Sequence, residues 1–254
     1  MKIQYASDLH LELAPNARYI KSNPLEIAGD VLVLAGDICN LCTAEPQCAE
    51  FWEWASANYR EVLIVPGNHE YFHDYDLLAH GDSWSREILP NVHYHQNSVV
   101  RIDNVDFILT TLWSHIDPEA ERIIHSGMPD FRQILHNGER LTPSAFNAEH
   151  ERSLAFIKRS VAESTAEHIV IVTHHLPSYA VVAPKYKDSM LNSAFATELS
   201  DYIANSRIDA WIFGHSHANE DATIGNTLLL SNQLGYVYHR EHLNGFDVNK
   251  YIEL

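Results

Sequence analysis

Five short apolar runs, Ile3–Ala6, Val31–Ala35, Val62–Val65, Ile169–Val172 and Ala210–Phe213, are rich in β-branched residues and lack the polar alternation of a half-exposed strand. They predict strands buried on both faces. Between them Ala49–Tyr59, Asp76–Leu89, Phe146–Val161 and Ser193–Ala204 carry apolar residues at helical spacing, so strand and helix alternate as in layered α/β folds. Val99–Asp103 and Val105–Leu112 meet at Asn104 and read as an antiparallel pair, as do Ala222–Ile224 and Thr227–Leu230 around Gly225-Asn226. The pattern predicts an α/β chain with two mixed β-sheets packed face to face and helices outside. Residues 113–142 interrupt it: His115, Pro118, His125, Gly127, Pro129, Arg132 and His136 follow no clean period. A long irregular stretch in a compact chain is usually functional, so this one is expected to form an ordered cap near the site.

At 254 residues the chain is long enough for one domain with a substantial core, and residues 1–254 are expected to form a single one. Lys and Arg total 17 against 34 Asp and Glu, a formal charge of −17 that opposes a large polyanionic partner and makes nucleic acid an unfavoured substrate. The opening MKIQYASDLH lacks the apolar core of a signal peptide, and no apolar run is long enough to span a bilayer. A cytoplasmic protein with no membrane partner is expected. Cys39, Cys42 and Cys48 lie close together, but no second pair completes a structural zinc site, so reduced thiols are expected.

The chemistry is concentrated just past the strand ends. Asp8-x-His10 follows the first run, Gly36-Asp37 the second and Gly67-Asn68-His69-Glu70 the third; His174-His175 and Gly214-His215-Ser216-His217 follow the last two. In open α/β sheets, ligands gather outside the carboxyl ends of the strands, so five separate segments would converge on one crevice. Carboxylate, amide and imidazole groups all suit a borderline-hard divalent ion. The i, i+2 spacing of D-x-H and H-x-H would place both side chains on one side if those segments were extended.

These blocks, in this order, resemble the signature of the calcineurin-like metallophosphoesterases: D-x-H, G-D, G-N-H-E/D, H and G-H-x-H. The resemblance runs from Asp8 to His217, and Thr173–Ser178, Leu191–Ala196 and Asn232–Tyr236 also look like a bacterial branch of small members. It implies a four-layer αββα sandwich and a site with two divalent ions, with Mn, Fe or Zn all compatible with the N/O donors. By the same resemblance Asp8, His10 and His217 bind one ion, Asn68, His174 and His215 bind the other, and Asp37 bridges them. His175 is then a packing or supporting residue.

Two such ions would hold a water or hydroxide ready to attack phosphorus. The family role of His69 is general acid toward the leaving group, with Asp37 and Asn68 the other catalytic positions. Many relatives read G-D-x-x-D, whose second Asp orients this histidine; here Asn40 stands in its place, and Glu70 or Asp74 is expected to compensate. Trp113, His115 and Arg132 are candidate substrate contacts, while Tyr71, Tyr179 and Tyr236 are expected to pack. A small or medium phosphoester is the expected substrate. A cyclic-nucleotide phosphodiesterase or nuclease is the alternative enzyme, and a catalytically silent metal-binding scaffold the alternative class.

Overall fold

A computed structural model describes residues 1–42 and 45–254. One sheet runs in the order Tyr251–Glu253 (β15), Lys2–Ala6 (β1), Val31–Leu34 (β2), Glu61–Ile64 (β3), Val92–Gln96 (β6) and Trp84–Leu89 (β5). The other runs Ala222–Ile224 (β13), Thr227–Ser231 (β14), Ala210–Phe213 (β12), His168–Val172 (β11), Val105–Leu109 (β8) and Ser98–Ile102 (β7). In each, four central strands are parallel and both edge strands antiparallel. The carboxyl ends of the parallel strands in each sheet therefore lie along one edge of it.

The inward faces meet in a core of Ile3, Tyr5, Val33, Leu63, Phe107, Val170, Val172 and Ile212. On the outer face of the first sheet, Leu32, Leu34, Val62 and Ile64 share a cluster with Trp52 and Ala55 of helix Glu45–Asn58 (α2). A helix at Ala14–Ser22 (α1) adds Ile20 to that cluster. Ile108, Ile169, Ile171 and Trp211 of the second sheet pack on Phe156, Ile157 and Val161 of helix Pro143–Glu163 (α5) and on Ile203 of Ser200–Ala204 (α6). The layers are helix, sheet, sheet and helix. Among the described residues, no helix is long and apolar enough to cross a membrane, and the three cysteines are free, with Cys39 and Cys48 buried.

Two expected helices are corrected. Asp76–Leu89 is not helical: Gly81 stands at φ +80°, and Asp76 accepts the Leu78 N–H at 2.9 Å, a local turn that competes with helix. Trp84–Leu89 instead pairs antiparallel with Val92–Gln96. Of Ser193–Ala204 only its ends are helical, because Ala196 forms a bridge to Leu176.

The stretch expected to be irregular also has regular structure. It contains helices Glu121–Gly127 (α3) and Asp130–Gln133 (α4) and strands Ile134–His136 (β9) and Glu139–Arg140 (β10), which form a small sheet with Tyr75–Asp76 (β4).

Candidate metal centre

The candidate ligands lie two to four residues beyond the ends of parallel strands, most of them in backbone that no strand would adopt. Asp8, His10, Asp37, His215 and His217 have φ of 55°, 47°, 54°, 76° and 50°. The i, i+2 pairs thus face one pocket through left-handed turns, and the extended-segment geometry expected for them is corrected. Such conformations cost roughly 1–3 kcal/mol each and persist only where surrounding bonds over-determine them. Those bonds are present: Asp8 N–H donates to Gly36 O (3.0 Å), His10 N–H to Asp37 O (2.9 Å) and His215 N–H to Asp8 Oδ1 (3.0 Å). Buried Glu70 ties two loops together, accepting from Asp37 N–H at 2.9 Å, Ile38 N–H at 2.8 Å and Gly67 N–H at 2.7 Å. A side chain at Gly36, which stands at φ +87°, would overlap the ring of His174, so this turn requires glycine.

Two donor sets share Asp37, and a third group, His10, Glu12 and His69, adjoins the first. Asp8, His10, Asp37 and His217 present ligand atoms within 4.8 Å of one another, and Asp37, His174 and His215 do the same. Asn68 joins the second set, its Oδ1 3.1 Å from His174 Nε2. Asp37 belongs to both: Oδ2 lies 3.8 Å from His10 Nε2, and Oδ1 lies 3.4 Å from His174 Nε2. Ring nitrogens face each other at 3.1 Å in two places, His10 Nε2 to His217 Nε2 and His174 Nε2 to His215 Nδ1. Converging nitrogen and carboxylate donors at this spacing suit cations, which would satisfy several lone pairs at once.

Burial opposes protonation of His174, yet Asp37 and Asp8 hold its pKa up to about 9. Against the same penalty, Asp8 and Glu241 raise His217 to about 10. A cation entering here would displace protons, so its uptake should strengthen as pH rises.

Each of three rings is oriented from behind. His174 Nδ1 donates to Ala35 O at 2.9 Å, His217 Nδ1 to Glu241 Oε2 at 2.7 Å and His10 Nδ1 to Glu12 Oε1 at 3.1 Å. An N–H fixed on the outer nitrogen leaves the inner nitrogen's lone pair facing the pocket, as a metal-ligating histidine requires. His175 is turned aside, its ring 4.1 Å from that of His215.

Glu12 has a second task. The Oε1 atom that receives His10 also receives His69 Nδ1, at 3.1 Å. Burial alone would raise this carboxyl, but the two histidines hold it at about 2. An ionised acceptor requires His69 to donate from Nδ1, which leaves Nε2 turned toward the cavity, 3.1 Å from the Tyr236 hydroxyl. The His69 pKa is raised: burial opposes protonation, and Asp37, Glu12 and Asp130 outweigh it. The expectation that Glu70 or Asp74 supports this ring is corrected, because Glu70 is committed to backbone N–H groups and Asp74 pairs with Arg140. Asn40 donates to the His69 carbonyl at 2.6 Å and so holds the loop.

A cavity of about 380 Å³ opens over these groups, reached by Asp37, Asn68, His69, His215 and His217. Trp113, His115 and Arg132 do not line it. Trp113 is buried against Phe146 and His175, His115 is exposed beside His150, and the exposed Arg132 donates to the Ser126 carbonyl. The cap segment contributes Gly127, Met128, Pro129 and Asp130 instead. Tyr236, expected to pack, lines the cavity. Glu12, Glu241 and Asp130 are residues that sequence reasoning missed. Glu12 alone carried a signal, since it extends Asp8-x-His10 by one more step of two.

Paired parallel-centred sheets between helices, with metal-friendly side chains on the strand-end loops, define a metallophosphoesterase fold. The structure superposes on the phosphopantetheinyl hydrolase of Mycobacterium tuberculosis with a TM-score of 0.70 at 15% identity, covering 99% of this chain and 95% of that one. The family model for calcineurin-like phosphoesterases matches residues 1–219, and the chain belongs to that family. An uncharacterized protein of Acanthamoeba polyphaga mimivirus is 29% identical over 270 residues, covering 96% of this chain and 94% of its own length.

Proposed function

We propose that the protein hydrolyses a small or medium phosphoester with the help of two divalent cations, one held by Asp8, His10 and His217, the other by Asn68, His174 and His215, with Asp37 shared. The observation that carries this reading is the pair of donor sets that share Asp37, with His69 beside them on Glu12. Two such ions, when bound, polarise phosphoryl oxygens and lower the pKa of an attacking water.

The remaining work belongs to the chain. His69 holds a proton on Nε2 for the departing oxygen, and Glu12 fixes the ring from Nδ1 and favours its protonated form. Tyr236 positions the same nitrogen through its hydroxyl. The loop bonds made by Glu70 and Asn40 tie the loops that carry Asp37 and His69 to each other. Among the described residues no Lys or Arg lines the cavity, so the charge of the phosphoryl group would be met by the cations and histidines. That feature and the net charge of −17 disfavour a polynucleotide substrate.

The test is a metal-stripped protein reloaded with Mn²⁺ and assayed on chromogenic phosphomonoesters and phosphodiesters. His69→Ala should keep its metal content by elemental analysis while turnover falls by roughly 10²- to 10⁴-fold. Full turnover by that variant would remove His69 from the acid role. Two bound metals without turnover over a broad ester panel would favour the silent scaffold.

A further inference from the structure

Asp130 is 1% exposed, lines the cavity beside Asn68 and His69, and has no hydrogen-bond partner for either carboxylate oxygen among the described residues. Asn68 is close enough to favour the ionised form of Asp130, although no hydrogen bond of ordinary geometry joins the two side chains. A buried carboxylate left unpaired costs stability, so its place in a cavity calls for a ligand that donates to it. Much of the remaining lining is apolar, with Met128, Pro129, Val182, Leu191 and Phe195, although Tyr186, Ser189 and Asn192 also reach it. Among the described residues the lining holds three carboxylates, Asp37, Asp130 and Glu241, and no Lys or Arg. Lys185, on the neighbouring segment, is not part of the lining and places its Nζ 4.6 Å from the centre of the Tyr186 ring.

We propose that the alcohol half of the substrate is an uncharged, mainly apolar chain carrying an N–H or O–H donor near the phosphoryl group, and that Asp130 selects it by accepting that hydrogen bond. This rests on the phosphoester reading above and narrows it. A second phosphate or a carboxylate on the tail would meet the unpaired Asp130 with no basic side chain among the described lining residues to offset it. An ammonium beside the phosphoryl group would stand next to the two divalent cations. A neutral donor satisfies Asp130 at neither cost, and the apolar walls take up the rest of the chain.

Four esters of primary alcohols test this on the Mn²⁺-loaded protein, each as monoester and methyl diester: 2-(hexanoylamino)ethyl, its 2-(hexanoyloxy)ethyl isostere, the N-succinyl analogue with a terminal carboxylate, and the cationic 2-(hexylamino)ethyl compound. The amide should exceed each of the others in kcat/KM by about tenfold or more, since a site built to accept a hydrogen bond rejects ligands that lack the donor. In Asp130→Ala the amide-to-ester ratio should fall toward unity. Because the substitution removes an unpaired buried carboxylate, the variant's melting temperature should hold or rise. Calorimetric binding of N-(2-hydroxyethyl)hexanamide to the metal-free protein should weaken about tenfold in the same variant.

Equal loss on amide and ester would make Asp130 a support for Asn68 and overturn the proposal, as would a preference for the succinyl or cationic tail. Turnover of 4-nitrophenyl esters with none of the four hydrolysed would overturn it while leaving the hydrolase reading intact. No turnover of any ester would strike the hydrolase reading itself.

Discussion

The core between the two sheets and the rim at their carboxyl ends use the same strands in opposite ways. In the core Phe107, Val170, Val172 and Ile212 are at most 1% exposed and carry no polar side-chain atoms. At the rim Asp8, His10, Asp37, His174 and His215 are also buried, yet nearly every donor faces another donor, and four of the five have left-handed backbone. Histidine shows the contrast directly. His95, in β6 of the first sheet, is pushed down to about 4 by burial and then by His93, whereas the carboxylates around His174 and His217 raise theirs. Stability is built along the strands, and function is built in the few residues after them, where unmet donors and backbone strain are held in place by the strands behind.

The comparison predicts that damage at the rim removes function and damage in the core removes stability. Asp37→Ala should have the largest effect, releasing metal and reducing turnover to background, with elemental analysis and denaturant titration on one sample. Retained metal would show that Asp37 is not the shared ligand. Next, Phe107→Ala should cost about 3–5 kcal/mol by denaturant unfolding while the folded fraction keeps its metal content. Metal loss from the folded variant would mean that core and rim are not separable.

A smaller effect is expected from His95. Its neutral form is favoured by folding, so its contribution is complete above pH 6.5 and is lost as pH falls toward 4, by up to about 3 kcal/mol. His95→Gln should flatten the stability curve in that window, and an unchanged curve would refute the assignment. Glu12→Gln should be the mildest change, about tenfold in turnover, from weaker positioning and a lowered His69 pKa. A group that must be protonated fails as pH rises through its pKa, so the alkaline limb of the rate profile should move to lower pH. A uniform loss without that movement would make Glu12 a packing residue only.

Much of this molecule was legible because its signals are local. Val31–Ala35 and Ile169–Val172 announce strands buried on both faces by composition alone, and the blocks from Asp8-x-His10 to Gly214-His215-Ser216-His217 share one position relative to such runs. Asp76–Leu89 misled because helical spacing was present while the deciding partner, Val92–Gln96, lies beyond a turn. Trp113 and Arg132 misled because a residue suited to ligands is equally suited to packing or to a carbonyl nearby.

The sequence by itself determined the layered α/β architecture, the family and the set of side chains delivered to one edge, since period, residue type and order are properties of the chain. Only the tertiary structure decided which carboxylate serves which histidine, that Glu12 takes the place expected of Glu70, and that Asp130 waits unpaired in the cavity. Glu12 and His69 are 57 residues apart and Glu241 lies 24 beyond His217. Hydrogen bonds over such separations exist only once strands from distant parts of the chain have been registered beside one another, and no local pattern records them.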